Sequence, residues 1–349
     1  MRSFTSSFKA FVSEYRVGLA LVLLLVGAEL IFRVTTFGPT SVIKPWQYLP
    51  LRLQFSGLKE HGGKKDPIPK LVANRNSYFK GAPFSTNSFG FRDREFNVVK
   101  PEGTIRIAVL GASITMGSGV KDQEIYSRVL QNLFTQDEHP QVEILNFAIG
   151  GYNSSDIIAV YETHITRFKV DVVVLNFYPE KSDFVARNYR DKSKRVEWHH
   201  LQQYLGYSFI ANWLRVDMNN WRRHNLAKDW KKRGIESREK EVVDKLDLIK
   251  TFNANLAATG IDLFLIRLPL PEKEDQLPTS VSYNDKRQST LDWLQRFDDV
   301  SYVDYEQQLA GRISDKDIIY PGDNHPNARV HRLYAEAIYE DLEPFLFSR

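Results

Sequence analysis

Ile105-Arg-Ile-Ala-Val-Leu-Gly-Ala-Ser-Ile-Thr-Met-Gly117 decides the fold. A short, mostly apolar run reaches Gly111, and a hydroxyl, Ser113, stands on the turn that leaves it. A run of this length bounded by turn residues reads as a buried strand. The same texture recurs downstream. Val142-Glu-Ile-Leu-Asn-Phe147, Val170 to Phe177, Ile261-Asp-Leu-Phe-Leu-Ile-Arg-Leu268 and Ser301-Tyr-Val-Asp-Tyr305 read as strands. Between and after them, Tyr126 to Phe134, Asp156 to Phe168, Val242 to Thr259 and Ala328 to Leu346 carry helical spacing. Strands alternating with helices predict an α/β fold, a parallel sheet covered on both faces. In such sheets ligands bind at the carboxyl ends of the strands, so chemistry is expected in the loops that begin at Gly111, Ala148, Tyr178, Pro269 and Glu306.

Outward from that core the chain changes character. Val17 to Phe32 is an apolar run interrupted only by Glu29 and bounded by Arg16 and Arg33. With its flanks it approaches the roughly 17–25 residues that cross a bilayer. Glu29 stands four residues before Arg33, close enough to pair on one helix face. Arg2, Lys9 and Arg16 precede the run against one Glu14, whereas the fifteen residues after Arg33 carry only Lys44, which predicts a cytoplasmic N-terminus and a main domain outside the cytoplasm. In a Gram-negative bacterium this is an inner-membrane protein with a periplasmic domain. The small residues Val26-Gly27-Ala28 leave cleavage as a signal peptide open as the rival.

Residues 1–16 thus read as a cytoplasmic tail, 17–33 as a transmembrane anchor contacting the lipid bilayer, and 34–87 as a tether interrupted by Pro39, Pro45, Pro50, Pro67, Pro69 and Pro83. Residues 88–349 form the main domain, with an insertion over 184–241 that holds Trp198, Trp213, Trp221 and Trp230 among an excess of Lys and Arg. The insertion reads as a helical cap packed on the domain, or as a basic surface for anionic lipid, an acidic glycan or a partner subunit.

Composition removes several functions. Lys and Arg total 47 against 43 Asp and Glu, a net charge of +4, which argues against nucleic acid as the main partner. The absence of Cys excludes disulfides, thiolate metal sites and cysteine nucleophiles. His199, His200 and His224 lack carboxylates at metal-ligand spacing, and Gly117-Ser-Gly119 lacks the Lys-Ser/Thr of a phosphate-binding loop. No metal or organic cofactor is expected.

What remains is a nucleophile set. Serine attacks only when a nearby base takes its proton, and the base in turn is oriented by a third group. Ser113, at the end of an early strand and before a helix whose N–H groups can stabilise an oxyanion, supplies the first. Asp323-Asn-His-Pro-Asn327, just before the last helix, supplies His325 and Asp323.

The chain resembles the SGNH (GDSL-type) hydrolase superfamily, in particular its membrane-anchored bacterial members. The resemblance covers roughly residues 86–349. It rests on Thr86-Asn-Ser-Phe-Gly-Phe-Arg-Asp93, the Ile105–Gly117 stretch, Asn146-Phe-Ala-Ile-Gly-Gly-Tyr-Asn153 and Asp323-Asn-His-Pro-Asn327. It implies a flavodoxin-like three-layer α/β/α fold. It also implies Ser113 as nucleophile with its own N–H in the oxyanion hole, Gly151 as the second N–H, His325 as general base and Asp323 as its orienting carboxylate. Two departures stand out. Ala112 replaces the usual Asp, and after the third strand Leu175-Asn-Phe-Tyr-Pro-Glu-Lys-Ser-Asp183 offers Glu180 or Ser182 where the family has an oxyanion-binding Asn. An anionic Glu180 would repel an oxyanion; Asn153 and Ser182 are the candidate substitutes. Two functions follow: an extracytoplasmic serine esterase or acyltransferase acting on O-acyl groups, acetyl on a glycan above all, or a weakened SGNH-fold accessory subunit of a larger membrane complex.

Overall fold

A computed structural model describes residues 2–44, 58–60, 68, 70–178, 210, 235–271, 301–320 and 323–348. Helix α1 (Arg2–Phe37) contains the apolar run, and Tyr15–Thr35 is long and apolar enough to cross a bilayer. Arg33 Nε donates to Glu29 Oε1 at 3.0 Å, the pairing their spacing predicts. The N–H of Ile210 donates to the other Glu29 oxygen at 3.3 Å. Helix α2 (Thr40–Ile43) follows directly.

Two short antiparallel pairs come next. Strands β1 (Lys59–Glu60) and β2 (Lys70–Leu71) pair, as do β3 (Asn76–Phe79) and β4 (Ala82–Ser85). Both lie in the Pro-rich segment read as tether. Their apolar side chains nevertheless join the main core: Leu71, Phe79 and Phe84 are buried in one cluster with Phe91 and Phe147. The segment from residue 70 onward therefore packs as part of the domain.

The central sheet has five strands, all parallel: β5 (Ile105–Leu110), β6 (Val142–Asn146), β7 (Val172–Asn176), β8 (Asp262–Arg267) and β9 (Ser301–Asp304). Their spatial order is β6-β5-β7-β8-β9, the flavodoxin-like 2-1-3-4-5 arrangement. Period-two alternation sorts their residues between two cores. Ala108, Leu110, Val173, Leu175, Leu263 and Leu265 face one side. Ile107, Val109, Val172, Val174, Phe264 and Ile266 face the other.

Each side is closed by helices whose apolar residues recur three or four apart. Tyr126, Leu130 and Phe134 of α3 (Tyr126–Gln136) join Val330, Tyr334, Ile338 and Leu342 of α6 (Ala328–Phe347) on one face. Leu246, Ile249, Phe252 and Leu256 of α5 (Ile235–Ala257) cover the other, with Ile157, Ile158 and Val160 of α4 (Ser154–Val160). The result is the three-layer α/β/α architecture.

One helix is shorter than its sequence pattern. The helical spacing over Asp156–Phe168 breaks after Val160 into a π-turn at Tyr161–Ile165 and a tight turn at Thr166–Phe168. The Thr163 and Thr166 hydroxyls donate to the carbonyls of Ala159 and Glu162, a back-bonding that disfavours a regular α-helix. The insertion over 184–241 lies outside the described residues except for Ile210 and the start of α5, and its four Trp lie outside them entirely.

Candidate active site

Ser113 follows β5 by three residues, at the strand pair where the sheet order reverses. It sits in a run of turns rather than at a helix N-terminus: Met116 N–H bonds Ala112 O at 2.9 Å, Ser118 N–H bonds Ser113 O at 3.0 Å, and α3 begins only at Tyr126. The expected assistance from a helix dipole is therefore absent, and oxyanion donors have to come from the turn itself. A Cβ at Gly111 would lie 2.2 Å from Thr115 Oγ1, so the strand can enter this turn only through glycine.

The second motif is tied to the first. Ile149 N–H donates to Gly111 O at 3.3 Å, and Gly150 N–H meets Met116 Sδ at 3.2 Å. Asn146, at the end of β6, donates to Thr115 O at 2.8 Å and accepts from Ala148 N–H at 3.0 Å. Gly151 is exposed just beyond. Among the described residues, neither the Ser113 nor the Gly151 N–H donates to another group, and the Ser113 hydroxyl makes no hydrogen bond.

Asp323 and His325 lie on strand β11 (Asp323–Pro326), antiparallel to β10 (Ile318–Tyr320), rather than in a loop. His325 Nδ1 is 2.5 Å from Asp323 Oδ1, and the His325 N–H donates to the same oxygen at 3.0 Å. The hairpin docks on the turn bearing Ser113 through Ile319, which occupies the space a Cβ on Gly119 would claim: that atom would sit 2.4 Å from Ile319 Cδ1. Gly119 also holds φ of +86°. Gly119→Ala is expected to lose about 1–3 kcal/mol through the left-handed backbone and the displaced hairpin; a denaturant melt measures it.

Two cations that sequence reading did not single out complete the centre. Lys80, 6% exposed, reaches in from the β3–β4 turn, its Nζ 2.6 Å from Asp323 Oδ2 and 2.9 Å from His325 Nδ1. Arg92, 1% exposed, clamps the turn that bears Ser113. Its guanidinium donates to the carbonyl of Gly117, to Val120 O at 2.6 Å and to Pro83 O at 2.9 Å, and pairs with Asp122 at 2.8 Å. No local pattern marks a buried Lys or Arg, although Arg92 falls within the Thr86–Asp93 motif. Asp93 beside it accepts from Asn146 N–H at 2.7 Å and pairs with Arg128 at 2.5 Å.

Burial alone would push the Asp323 carboxyl up, but the hydrogen bond from His325 and the charge and hydrogen bond of Lys80 hold it well below the ordinary carboxylate range. Burial pulls the Lys80 ammonium down, with Asp323 opposing. His331 on α6 is fully buried and accepts from Tyr126 N–H at 3.3 Å. Burial, with the charges of Arg92 and His325, lowers its pKa to about 3, so it stays neutral. A depressed carboxylate contributes stability that is complete above the unfolded pKa and is lost as pH falls through the folded one. The stability gap between the wild type and Asp323→Asn is therefore expected to close as pH drops below about 4, measured by thermal melts across pH.

Asn153, a candidate substitute oxyanion donor, caps α4: its Oδ1 accepts from Asp156 N–H at 2.8 Å. Asn176, the last residue of β7, points its amide nitrogen at Thr115 Oγ1, 3.3 Å away. Glu180, Ser182, His199, His200 and His224 lie outside the described residues.

No protein-family model and no curated protein matches the chain. Among solved structures it is similar to the psychrotrophic esterase EstA from a Pseudoalteromonas species, at 11% identity over 69% of this chain and 98% of that one, with a TM-score of 0.42. It is also similar to the acetyl xylan esterase AlAXEase, at 15% identity over 68% of this chain and 100% of that one (TM-score 0.41). A third is a protein of Desulfitobacterium hafniense described as lipolytic and of the G-D-S-L family, at 14% identity over 68% and 99% (TM-score 0.39).

Proposed function

We propose that this chain is a membrane-anchored serine esterase of SGNH type, acting on small O-acyl groups, acetyl on a glycan foremost, outside the cytoplasm. One observation carries the proposal: Asp323 and His325 are bonded at 2.5 Å on a hairpin that docks against the turn bearing Ser113. Ser113 Oγ attacks the acyl carbonyl while His325 Nε2 takes its proton. Asp323 holds the Nδ1–H tautomer and stabilises the imidazolium. The N–H groups of Ser113 and Gly151 receive the oxyanion, a role supported by their having no acceptor among the described residues. His325 then returns the proton to the leaving alkoxide, and water releases the acyl group by the same route. A sugar hydroxyl in place of that water gives acyl transfer with the same residues.

The membrane part of the proposal is supported by the exposed apolar surface of α1, where Leu24 and Ile31 are more than 60% exposed. The test is hydrolysis of p-nitrophenyl acetate, butyrate and octanoate, and acetate release from acetylated xylan, by the full chain in detergent. Acetyl esters are expected to be preferred. Preference for the octanoate would overturn the substrate class, and inactivity on every ester would favour the accessory-subunit function.

A further inference from the structure

We infer that Lys80 is a positioning residue that lowers the basicity of His325 by sharing Asp323 with it, so that the base remains unprotonated in more acidic surroundings. The inference rests on the esterase reading of the same site and adds how that site is regulated by pH.

Asp323 has two carboxylate oxygens; Oδ1 serves His325 and Oδ2 is taken by the Lys80 ammonium at 2.6 Å. A carboxylate facing imidazole alone would stabilise the imidazolium strongly. One already neutralised by an ammonium stabilises it less. The ammonium also lies 2.9 Å from His325 Nδ1, where it repels a positive ring directly. Both effects have the same sign.

Among the described residues, the charged and titratable groups that His331 and Arg92 bring to this region do not supply this function. His331 from α6 is neutral, and Arg92, from the loop after β4, is held by Asp122 and four backbone carbonyls.

The backbone gives an independent reason. Lys80 and Gly81 form the two-residue turn of the β3–β4 hairpin, with φ of +52° and +84°. Such turns favour Asn-Gly, because a Cβ at the first position clashes with the backbone in the left-handed conformation, at a cost that Asn partly offsets through local hydrogen bonding. Strain retained at a buried charged residue points to use of its side chain. The hairpin delivers that side chain across 243 residues of sequence to Asp323, with the ammonium 5.7 Å from the Phe79 ring centroid.

The test compares the full chain with Lys80→Met and Lys80→Gln in detergent. In both variants the acid limb of the pH profile for ester hydrolysis is expected to move about one unit or more to higher pH. KM should not change. The His325 ring signals in NMR spectra of histidine-labelled protein, assigned with His325→Gln, should titrate at higher pH in the variants than in the wild type. An unchanged acid limb and an unchanged or lower titration in folded variants would overturn the inference. The NMR titration reads Lys80 even if the wild type hydrolyses no ester, so failure of the esterase reading and failure of this inference are separable. Lys80→Gln keeps a donor for Asp323 and serves where Lys80→Met does not fold.

Discussion

His325→Ala is expected to lower kcat for p-nitrophenyl acetate by about 10⁴–10⁶-fold with little change in KM, because removing the base of a serine nucleophile disables the unit while leaving ground-state contacts in place. The variant should remain folded. Asp323 keeps its 2.6 Å partner in Lys80, and His325 is partly exposed, so no buried charge is orphaned. This distinguishes the substitution from loss of Asp323, which would strand the buried ammonium. Steady-state kinetics beside a thermal melt make the separation. A fall of less than tenfold in a folded variant would contradict the role given to His325.

Arg92→Leu is expected to destabilise the domain by about 3–5 kcal/mol, the usual consequence of breaking a buried ionic cluster from one side. The guanidinium is the common donor to the carbonyls of Pro83, Gly117 and Val120 and the partner of Asp122. A leucine fills much of the volume and bonds none of them. Each carbonyl left dry carries its own desolvation penalty. The damage falls on the turn that holds Ser113 and on the hairpin that holds Lys80, so activity should fall with stability. Urea denaturation reads the first and ester hydrolysis at low temperature the second. A stability change below about 1 kcal/mol would mean that water replaces the guanidinium.

The sheet was legible because burial on both faces writes an unmistakable local pattern. Val172–Asn176 and Asp262–Arg267 fall within a few residues of the strands their apolar runs predict. Ser113, Asp323 and His325 stand in short motifs whose residue types state their chemistry. Lys80 and Arg92 had no such mark. A buried cation is defined by what surrounds it, and the partners of Lys80 lie at the far end of the chain. The prolines between residues 39 and 83 pointed to a tether, yet Tyr78, Phe79 and Phe84 belong to a hairpin closed by only two residues. That hairpin is too short to show a period. It is buried in a cluster that includes Phe147, far along the chain and outside any local window. The break after Val160 leaves no mark in the apolar pattern for a similar reason, since threonine hydroxyls turning back on the helix leave that spacing intact.

The central claim is that Ser113 is a nucleophile served by His325 and Asp323. Reaction of the detergent-solubilised full chain with a fluorophosphonate, followed by peptide mass spectrometry, tests it most directly. The account predicts one phosphonyl adduct, on Ser113, absent from Ser113→Ala and formed far more slowly in His325→Ala. Well-folded protein that takes up no probe, or takes it up equally after Ser113→Ala, would contradict it.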